Sequence, residues 1–468
     1  MHRFILSLIA MFVLAAPASG ASLDQLRWRN LGPAVSGGRL GAVAGTDADP
    51  ALYYAGAADG GVWKSTNGGQ SWQPVFDKQD VASIGAIAID SHDGNRVWVG
   101  TGEGNPRNDV TQGDGVYETL DGAKTWQRML PLRNSLITKI LVDPRDSNTV
   151  LVAVLGDPFA DSADRGVYRT TDGGKSWTKT LYLGADSGAS DLASSAKSPN
   201  VVYAGMWQYR RTGWSLQSGG PNDGLYKSTD SGATWRRLSG HGLPSDEEGR
   251  IGLAVAPGDP RRVYALIQSK AGLLWRSDDD GATWAMVSSN TLIDERPFYF
   301  SHVFVDPTDA NHVWSVSVRL TVSTDGGKTF KTTGRGIHGD HHAMWNAADG
   351  RRIIEGNDGG VALSQDNGAT WEWKNVIPIS QLYHVGFDNR NPYNVCAPLQ
   401  DNGVWCAPSD GLDGARLSAS QWHNMGGGDG TWAIPDAADP NFIWSTSGGG
   451  NFAGEMDLLD TRSGESRT

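Results

Sequence analysis

The sequence predicts an all-β protein built from repeated four-stranded units. Glycine accounts for 61 of the 468 residues and tryptophan for 19, and that glycine share is nearly twice the roughly 7% of an average protein. Hydrophobic residues make up 39% of the chain and charged residues 20%, which is enough apolar material for a packed core and argues against disorder. This composition indicates many tight turns, each with an aromatic anchor.

The charge balance excludes two classes of partner. The chain carries 40 Lys and Arg against 52 Asp and Glu, which gives a net charge of −12. An acidic surface of this kind disfavours nucleic acid and anionic membranes as main partners. No run of 18 apolar residues occurs in the sequence, so we expect no membrane-spanning helix.

The first residues have the three parts of a secretory signal peptide. Residues 1–3 are basic at Arg3, residues 4–16 are apolar, and small residues follow up to Ala21. This pattern predicts a cleaved signal peptide at residues 1–21 and a periplasmic or secreted protein, with an N-terminal anchor as the alternative. Residues 22–38 are then a short lead-in to the folded part.

The two cysteines are expected to pair. Cys396 and Cys406 flank the turn at residues 400–403 symmetrically, so they lie nearly opposite each other if the segment forms a hairpin. Export to an oxidising compartment favours a disulfide. The alternative is a pair of buried thiols.

One eight-residue pattern occurs seven times in the chain. It consists of Ser or Thr, any residue, Asp, any residue, Gly, any residue, Thr or Ser, and an aromatic residue. The copies begin at Ser65, Thr119, Thr170, Ser228, Ser277, Ser323 and Ser364. Their closing aromatic residues are 41 to 58 residues apart. Regular spacing of this length indicates a structural repeat.

Each position of the pattern suits a tight hairpin. The Asp and Ser side chains accept hydrogen bonds from backbone N–H groups, the Gly supplies a positive φ, and the aromatic ring fixes the next strand. The first copy has Asn67 in place of Asp, and the second has Ala123 in place of Gly. We therefore expect structural roles for these Asp residues and some strain at Ala123.

Short β-rich runs surround each copy and predict the blades of a β-propeller. The units begin near Arg39, Ile84, Ile137, Ala189, Arg250, Tyr299 and His341. Two further units, at residues 382–425 and from residue 428 onward, lack the eight-residue turn. The prediction is a seven-bladed propeller of four-stranded blades at residues 39–375, followed by the start of a second, incomplete propeller at residues 376–468.

The turn matches the Asp-box, or BNR repeat, at all seven sites. The chain therefore resembles the Asp-box propellers, and its opening at residues 28–33 and 37–39 resembles that of sortilin-like and glycosyl-hydrolase-like exported bacterial repeat proteins. A ten-bladed sortilin-type ring cut short is the alternative fold. The sialidases, which belong to the same repeat class, are excluded because no Arg-Ile-Pro motif occurs here.

A propeller restricts where its ligand site can lie. With strands A to D numbered from the axis outward, the Asp-boxes are C–D turns, so a site is expected on the opposite face, in the B–C and D–A loops. The loops of units two and four carry the side chains expected to bind sugar or peptide, or else to pack on themselves: Glu103, Asn105, Arg107, Trp207, Tyr209, Arg210 and Trp214.

Three B–C turns share an acidic residue followed by glycine-rich sequence. They begin at Asp59, Asp358 and Asp401, and an ordinary hairpin turn would account for each of them. The resemblance to xyloglucanase-type enzymes implies more for two of them. In those enzymes, the residues that resemble Asp59 and Asp401 are a general acid and a general base that face each other across a cleft. Inverting hydrolysis requires a separation of about 6.5–9.5 Å between the two carboxyl groups. Gln400 and Asn402 depart from the small residues of those enzymes.

The densest cluster of metal-capable side chains is at residues 338–342. Strand alternation places Asp340 and His342 on one face and His341 on the other. His338, Asp340 and His342 are thus candidate ligands for a divalent metal, completed by Glu355 or Asp358. The alternative is a hydrogen-bonded plug in the propeller channel. No other cofactor is expected.

Two functions follow from these observations. The first is an exported glycoside-hydrolase-like propeller that acts on or binds polysaccharide, with Asp59 and Asp401 as the carboxylate pair. The second is a non-catalytic, sortilin-like propeller that binds a peptide or protein. The repeats fit both functions equally.

Overall fold

The computed structural model describes residues 29–468 other than 30, 33, 34, 36, 108, 109, 412–416 and 449–453. The signal peptide predicted at residues 1–21 and most of the lead-in lie outside the described residues. Within the described part, the chain is nearly all β-structure, with two short 3₁₀ turns at Thr291–Ile293 and Ala419–Gln421. No helix in that part has the length and apolar character needed to cross a membrane.

The strands of the first three units alternate in direction along the chain. Unit one contains β1 (Leu40–Gly45), β2 (Tyr53–Ala57), β3 (Val62–Ser65) and β4 (Gln73–Pro74). Units two and three contain β5 (Ile84–Ile89), β6 (Val97–Thr101), β7 (Gly113–Thr119), β8 (Gln127–Asp143), β9 (Asp146–Gly156), β10 (Gly166–Thr170) and β11 (Thr178–Leu181).

Units four to seven continue this organisation. Unit four contains β12 (Ser187–Ser194), β13 (Val202–Arg211), β14 (Leu216–Ser218), β15 (Gly224–Ser228) and β16 (Arg236–Leu238). Unit five contains β17 (Ile251–Val255), β18 (Val263–Ile267), β19 (Leu274–Ser277) and β20 (Ala285–Ser288). Unit six contains β21 (His302–Val305), β22 (Val313–Val316), β23 (Leu320–Ser323) and β24 (Lys331–Thr332). Unit seven contains β25 (His341–Asn346), β26 (Ile353–Asn357), β27 (Gly360–Ser364) and β28 (Glu372–Lys374).

The last two units have the same antiparallel order without an Asp-box. Unit eight contains β29 (Gly386–Phe387), β30 (Asn394–Pro398), β31 (Val404–Pro408) and β32 (His423–Gly426), and unit nine contains β33 (Asp429–Pro435), β34 (Phe442–Gly448), β35 (Glu455–Asp460) and β36 (Glu465–Arg467). Cys396 and Cys406 are directly opposite each other on β30 and β31, and a disulfide joins them.

Units two and three share a strand. The first half of β8 pairs with β7 and its second half pairs with β9, so the two units form one seven-stranded sheet. The sequence predicts that unit three begins near Ile137, and therefore a break between the outer strand of unit two and the inner strand of unit three. The structure instead runs the chain straight through, because both halves find an antiparallel partner.

The innermost strands pack on one another in chain order. β1 contacts β5, β5 contacts β8, and the series continues through β12, β17, β21 and β25. β25 returns to β1, and one hydrophobic cluster combines Leu40 and Tyr53 of unit one with Ile354 and Val361 of unit seven. Unit one and unit seven are therefore neighbours. The domain division predicted at residue 375 stays a prediction.

The Asp-boxes have the hydrogen bonds that their sequence predicts. In unit three, Thr170 Oγ1 donates to Asp172 Oδ1 at 2.7 Å, and the backbone N–H of Ser176 donates to the same oxygen at 2.9 Å. The bond between the Ser or Thr hydroxyl and the Asp or Asn side chain recurs in all seven copies. These side chains stabilise the turns, as expected.

Candidate functional site

A cleft of about 280 Å³ lies between the first seven units and the segment that leads to unit eight. One wall is the B–C turn of unit one, at residues 57–60, together with Arg39. Glu103 and Thr111 come from the B–C loop of unit two, and residues 379–382 close the other side. The cleft therefore lies on the face opposite the Asp-boxes, which is the face where the sequence predicts a site.

The turns that carry Asp59 and Asp401 are built alike. In unit one, the indole N–H of Trp63 donates to the backbone oxygen of Gly60 at 2.9 Å. In unit eight, the indole N–H of Trp405 donates to the equivalent oxygen, that of Asn402, at 2.8 Å. The shared sequence Asp-x-Gly-Val-Trp produces this turn, because its glycine takes a positive φ in both copies.

The backbone closes both turns with the same hydrogen bond. The N–H of Ala57 donates to the oxygen of Gly61 at 3.0 Å, and that of Leu399 donates to the oxygen of Gly403 at 2.8 Å. Asp59 and Asp401 therefore hold matching positions in the two turns, although only Asp401 has a positive φ, of 58°.

The environments of these two carboxyl groups differ. Asp59 is exposed and lines the cleft, and partial burial of its carboxyl raises its pKa. Asp401 is less exposed. One of its carboxylate oxygens lies within 4.8 Å of a carboxylate oxygen of Asp340 and of a carboxylate oxygen of Asp358. Burial and then the negative charges of Asp358 and Asp429 raise the pKa of Asp401 to about 7.

Asp358 is the fixed negative charge of this cluster. Its side chain is buried, and it accepts hydrogen bonds from Tyr299 Oη at 3.1 Å and from His342 Nε2 at 2.7 Å. Although burial alone would raise its pKa, His342 and the nearby guanidinium groups of Arg39 and Arg107 lower it. Asp358 thus stays ionised beside Asp401, which favours the protonated form of Asp401.

Arg39 connects Asp358 with the floor of the cleft. Its guanidinium lies 2.9 Å from Glu103 Oε1 and donates to Tyr299 Oη at 2.7 Å and to Gln381 Oε1 at 3.0 Å. Arg39 and Glu103 are each only 2% exposed at the side chain. The pair therefore holds the cleft together, and Glu103 reaches the cleft as part of this buried network.

The other two candidates from the unit-two loop also contact the framework. Asn105 is buried, and its Oδ1 accepts hydrogen bonds from Arg250 and from His302, each at 2.8 Å. Arg107 lies over the ring of Tyr299, with its guanidinium carbon 5.5 Å from the ring centroid. Of the two, Arg107 is the more accessible to a ligand, because it is partly exposed.

The aromatic platform expected in unit four needs correction. Trp207 and Tyr209 are completely buried and pack on each other with ring centroids 4.4 Å apart, so neither presents a face to a ligand. The segment read as a long loop is an extension of β13 that pairs with β14. Trp214, at the end of this hairpin, is 91% exposed, and Arg210 is ion-paired with Asp161.

The predicted metal ligands are only partly brought together. Asp340 joins Asp358 and Asp401 in the one group of three close potential ligands within the described residues. His342 instead contacts Asp358 through Nε2, and His338 Nε2 lies 3.4 Å from the backbone oxygen of Asp401. The metal assignment stays a prediction.

His341 and His342 are both buried, and each is bound to a carboxylate. His341 Nδ1 lies 2.7 Å from Glu355 Oε1, and a register shift in β25 lies between His341 and Ala343. The sequence predicts the two imidazoles on opposite faces of a regular strand. They have different acidic partners, Glu355 and Asp358, which fits the hydrogen-bonded plug.

Tyr299, Arg39 and Asp429 were missed as site residues. Asp429 Oδ1 accepts a hydrogen bond from the backbone N–H of Asp401 at 2.8 Å. Arg39 and Tyr299 are 260 positions apart in the sequence. Arg39 ends the opening motif at residues 37–39, which does not point to a site, and no local motif marks Tyr299 or Asp429.

Comparison with known proteins gives the same fold. A family model described as "Sortilin, neurotensin receptor 3" matches residues 60–198, less than a third of the chain. Among solved structures, an ancestral GH74 enzyme superimposes with a TM-score of 0.64 at 18% identity, covering 94% of this chain and 63% of that one.

The curated relatives are xyloglucanases. A xyloglucanase from a Paenibacillus species is 24% identical in an alignment of 296 residues that covers 58% of this chain and 28% of that protein. Xyloglucanase Xgh74A from Acetivibrio thermocellus is 22% identical in an alignment of 379 residues that covers 70% of this chain and 42% of that protein. The chain thus spans less than half the length of these relatives. It is an Asp-box β-propeller that is similar in sequence to xyloglucanases and glycoside-hydrolase-like in fold.

Proposed function

We propose that this chain is the part of an exported glycoside hydrolase that binds a polysaccharide in the cleft, with Asp401 as general acid and Asp59 as general base. The observation that carries the proposal is the repeated turn. Asp59 and Asp401 lie in matching B–C turns of units one and eight; Asp59 is exposed, whereas burial and neighbouring carboxylates raise the pKa of Asp401 to about 7. Carboxyl groups with contrasting environments are the usual acid and base of glycoside hydrolysis.

Each group has one task in an inverting reaction. Asp401 gives its proton to the oxygen of the leaving sugar as the glycosidic bond breaks. Asp59, exposed at the cleft, takes a proton from the water that attacks the anomeric carbon. One water is consumed, and the enzyme is reset when Asp59 releases its proton to solvent and Asp401 takes one up.

The neighbours of Asp401 suit the acid role. Asp358 is held ionised by His342 and Tyr299, and this fixed charge disfavours a second negative charge on Asp401. We therefore expect the hydrolysis rate to fall as the pH rises above about 7, because Asp401 then loses the proton that it must donate. A rate that instead keeps rising up to pH 9 would contradict this role.

The test is sugar release from β-glucans, xyloglucan among them, by the full chain and by two variants. Asp59→Asn and Asp401→Asn should each lower the rate by about 10²–10⁴-fold, the usual contribution of a general acid or base. Asp349→Asn is the matched control, because Asp349 is exposed in the A–B turn of unit seven and so lies away from the B–C face. Equal, background-level release by wild type and both variants would rule out hydrolysis.

The second candidate is a propeller that binds peptide or protein without catalysis, and the sortilin-type match over residues 60–198 supports it less strongly than the xyloglucanase relatives support the first. A binding experiment with the same proteins distinguishes the peptide-binding candidate from the hydrolase candidate. Calorimetry that detects heat with an unstructured peptide library and none with any glycan would support the peptide-binding candidate.

A further inference from the structure

We propose that Asn402 is a positioning residue, whose side-chain amide ties the turn carrying Asp401 to the first seven units. The proposal deepens the function proposed above, since it concerns the placement of the acid in that reaction. It starts from a sequence difference. Asn402 occupies the place that Gly60 has in the otherwise equivalent turn of unit one.

The Asn402 amide reaches three backbone oxygens from three segments. Nδ2 lies 2.9 Å from the oxygen of Gln400 in its own turn, 3.1 Å from that of Asp358 in unit seven, and 3.2 Å from that of Gly37 ahead of unit one. A side-chain amide has two N–H donors, so the three oxygens share them. One of these oxygens belongs to unit seven, and another belongs to the lead-in just ahead of unit one.

The backbone around this contact is closely packed. A Cβ on Gly37 would lie 3.1 Å from Asn402 Cβ, so the glycine allows the approach. Gly37 is itself fixed, because its N–H donates to the oxygen of Ile379 at 3.0 Å. The N–H of Gln400 donates to the oxygen of Gln381 at 2.9 Å, which gives the turn a second connection to the cleft wall.

Gly60 shows why the amide is specific to unit eight. A Cβ at that position would lie 2.9 Å from Ala57 Cβ and 3.3 Å from Ile379, so the unit-one turn has no room for a side chain. That turn already lies against Ile379 of the segment that leads to unit eight. The turn that carries Asp401 lies in unit eight, and the Asn402 side chain connects it to unit seven and to the lead-in.

Hydrogen exchange and kinetics of Asn402→Ala test the proposal. Without the amide, we expect amides of the turn at residues 399–404 to exchange at least tenfold faster. We also expect kcat on β-glucan to fall about 10–100-fold with KM unchanged, because small displacements of a reacting group lower the rate steeply. Asn441→Ala, in unit nine, is the control and should change neither quantity.

The two readouts separate the possible failures. Unchanged exchange at residues 399–404 in Asn402→Ala overturns the tether, whatever the enzyme does. Faster exchange together with an unchanged kcat would show that Asn402 holds the turn but does not position Asp401 for the reaction. If the wild type releases no sugar, the proposed hydrolase function fails, while faster exchange in the variant still supports the tether.

Discussion

Ala123 occupies the position that glycine has in the other six Asp-boxes. Its φ is 72°, in the left-handed region that costs a non-glycine residue about 1–2 kcal/mol. Its methyl group is nevertheless buried in a cluster with Tyr54 and Tyr117, which contributes about 0.8 kcal/mol. Glycine would also lose about 0.5–1 kcal/mol through greater freedom in the unfolded chain. Strain and packing therefore nearly cancel.

We accordingly expect Ala123→Gly to change the free energy of unfolding by less than about 0.5 kcal/mol. The reverse exchange in unit three should be far from neutral. A Cβ on Gly174, whose φ is 83°, would lie 2.8 Å from Trp98 and 3.1 Å from Met129. Gly174→Ala should cost at least about 2 kcal/mol from strain and overpacking together. Denaturant titration of both variants measures the difference, and equal effects would contradict the account.

Asp401 should make the folded protein less stable as the pH rises. Its folded pKa of about 7 lies above the ~3.9 of an unfolded aspartate, so the folded state keeps a proton that the unfolded state releases. Stability is therefore lost between about pH 4 and pH 7. Asp401→Asn cannot ionise, so its melting temperature should exceed that of the wild type by an amount that grows from pH 4 to pH 8. A constant offset across this range would argue against the raised pKa.

The Asp-box is the element that repeats most faithfully. In units three, four and five, the hydroxyl of the following Ser or Thr and the backbone N–H groups of the turn lower the pKa of the Asp to about 2. Because the folded pKa lies below the unfolded one, this stabilisation is present above about pH 4 and is lost as the pH falls towards 2. Each of these turns therefore loses part of its contribution to the stability of the fold when its Asp is protonated.

Asn67 provides a natural comparison for this acid sensitivity. It accepts a hydrogen bond from Ser65 and from the backbone of Ser71 as the Asp residues do, but it carries no charge. Asn67→Asp should steepen the loss of stability between pH 4 and pH 2, and Asp172→Asn should flatten it. Melting temperatures measured at half-unit pH steps test both changes. Identical slopes in the two variants would mean that the Asp-boxes do not govern acid unfolding.

At the scale of the whole molecule, the exposed apolar side chains concentrate in the last units. Trp432 and Ile434 of β33, Trp444 of β34 and Met456 of β35 are 39–55% exposed. Ile434 is directly opposite Trp444, and alternation along the strands places the others on the same side. The opposite face of this sheet packs on unit eight through Ala433 and Ile443.

This open face should bind an apolar dye. We expect the wild type to enhance the fluorescence of anilinonaphthalene sulfonate, and the double variant Ile434→Lys with Met456→Lys to lose most of that enhancement at an unchanged melting temperature. Leu120→Lys is the control, because Leu120 is 65% exposed in an Asp-box turn of unit two and stands apart from this patch. No enhancement with the wild type would show that the face is covered in solution.

Local sequence was a good guide wherever a structure is formed by neighbouring residues. The Asp-box pattern located seven turns, and their hydrogen bonds run between residues two to four positions apart. The opposed positions of Cys396 and Cys406 likewise followed from one hairpin. The aromatic residues of unit four were misjudged, since Trp207 and Tyr209 are buried by Val110 and Leu136 of other units. Burial against distant segments leaves no mark in a local pattern.

The sequence by itself determined the repeated turn and the all-β class, because each depends on side chains that contact their own neighbours in the chain. Only the tertiary structure decided the chemical character of the site. Asp358 is kept ionised by Tyr299 and His342, and Asp401 is tied by Asn402 to segments 44 and 365 positions away. The charge on a carboxyl group depends on what surrounds it in space, and ring closure brings those surroundings together.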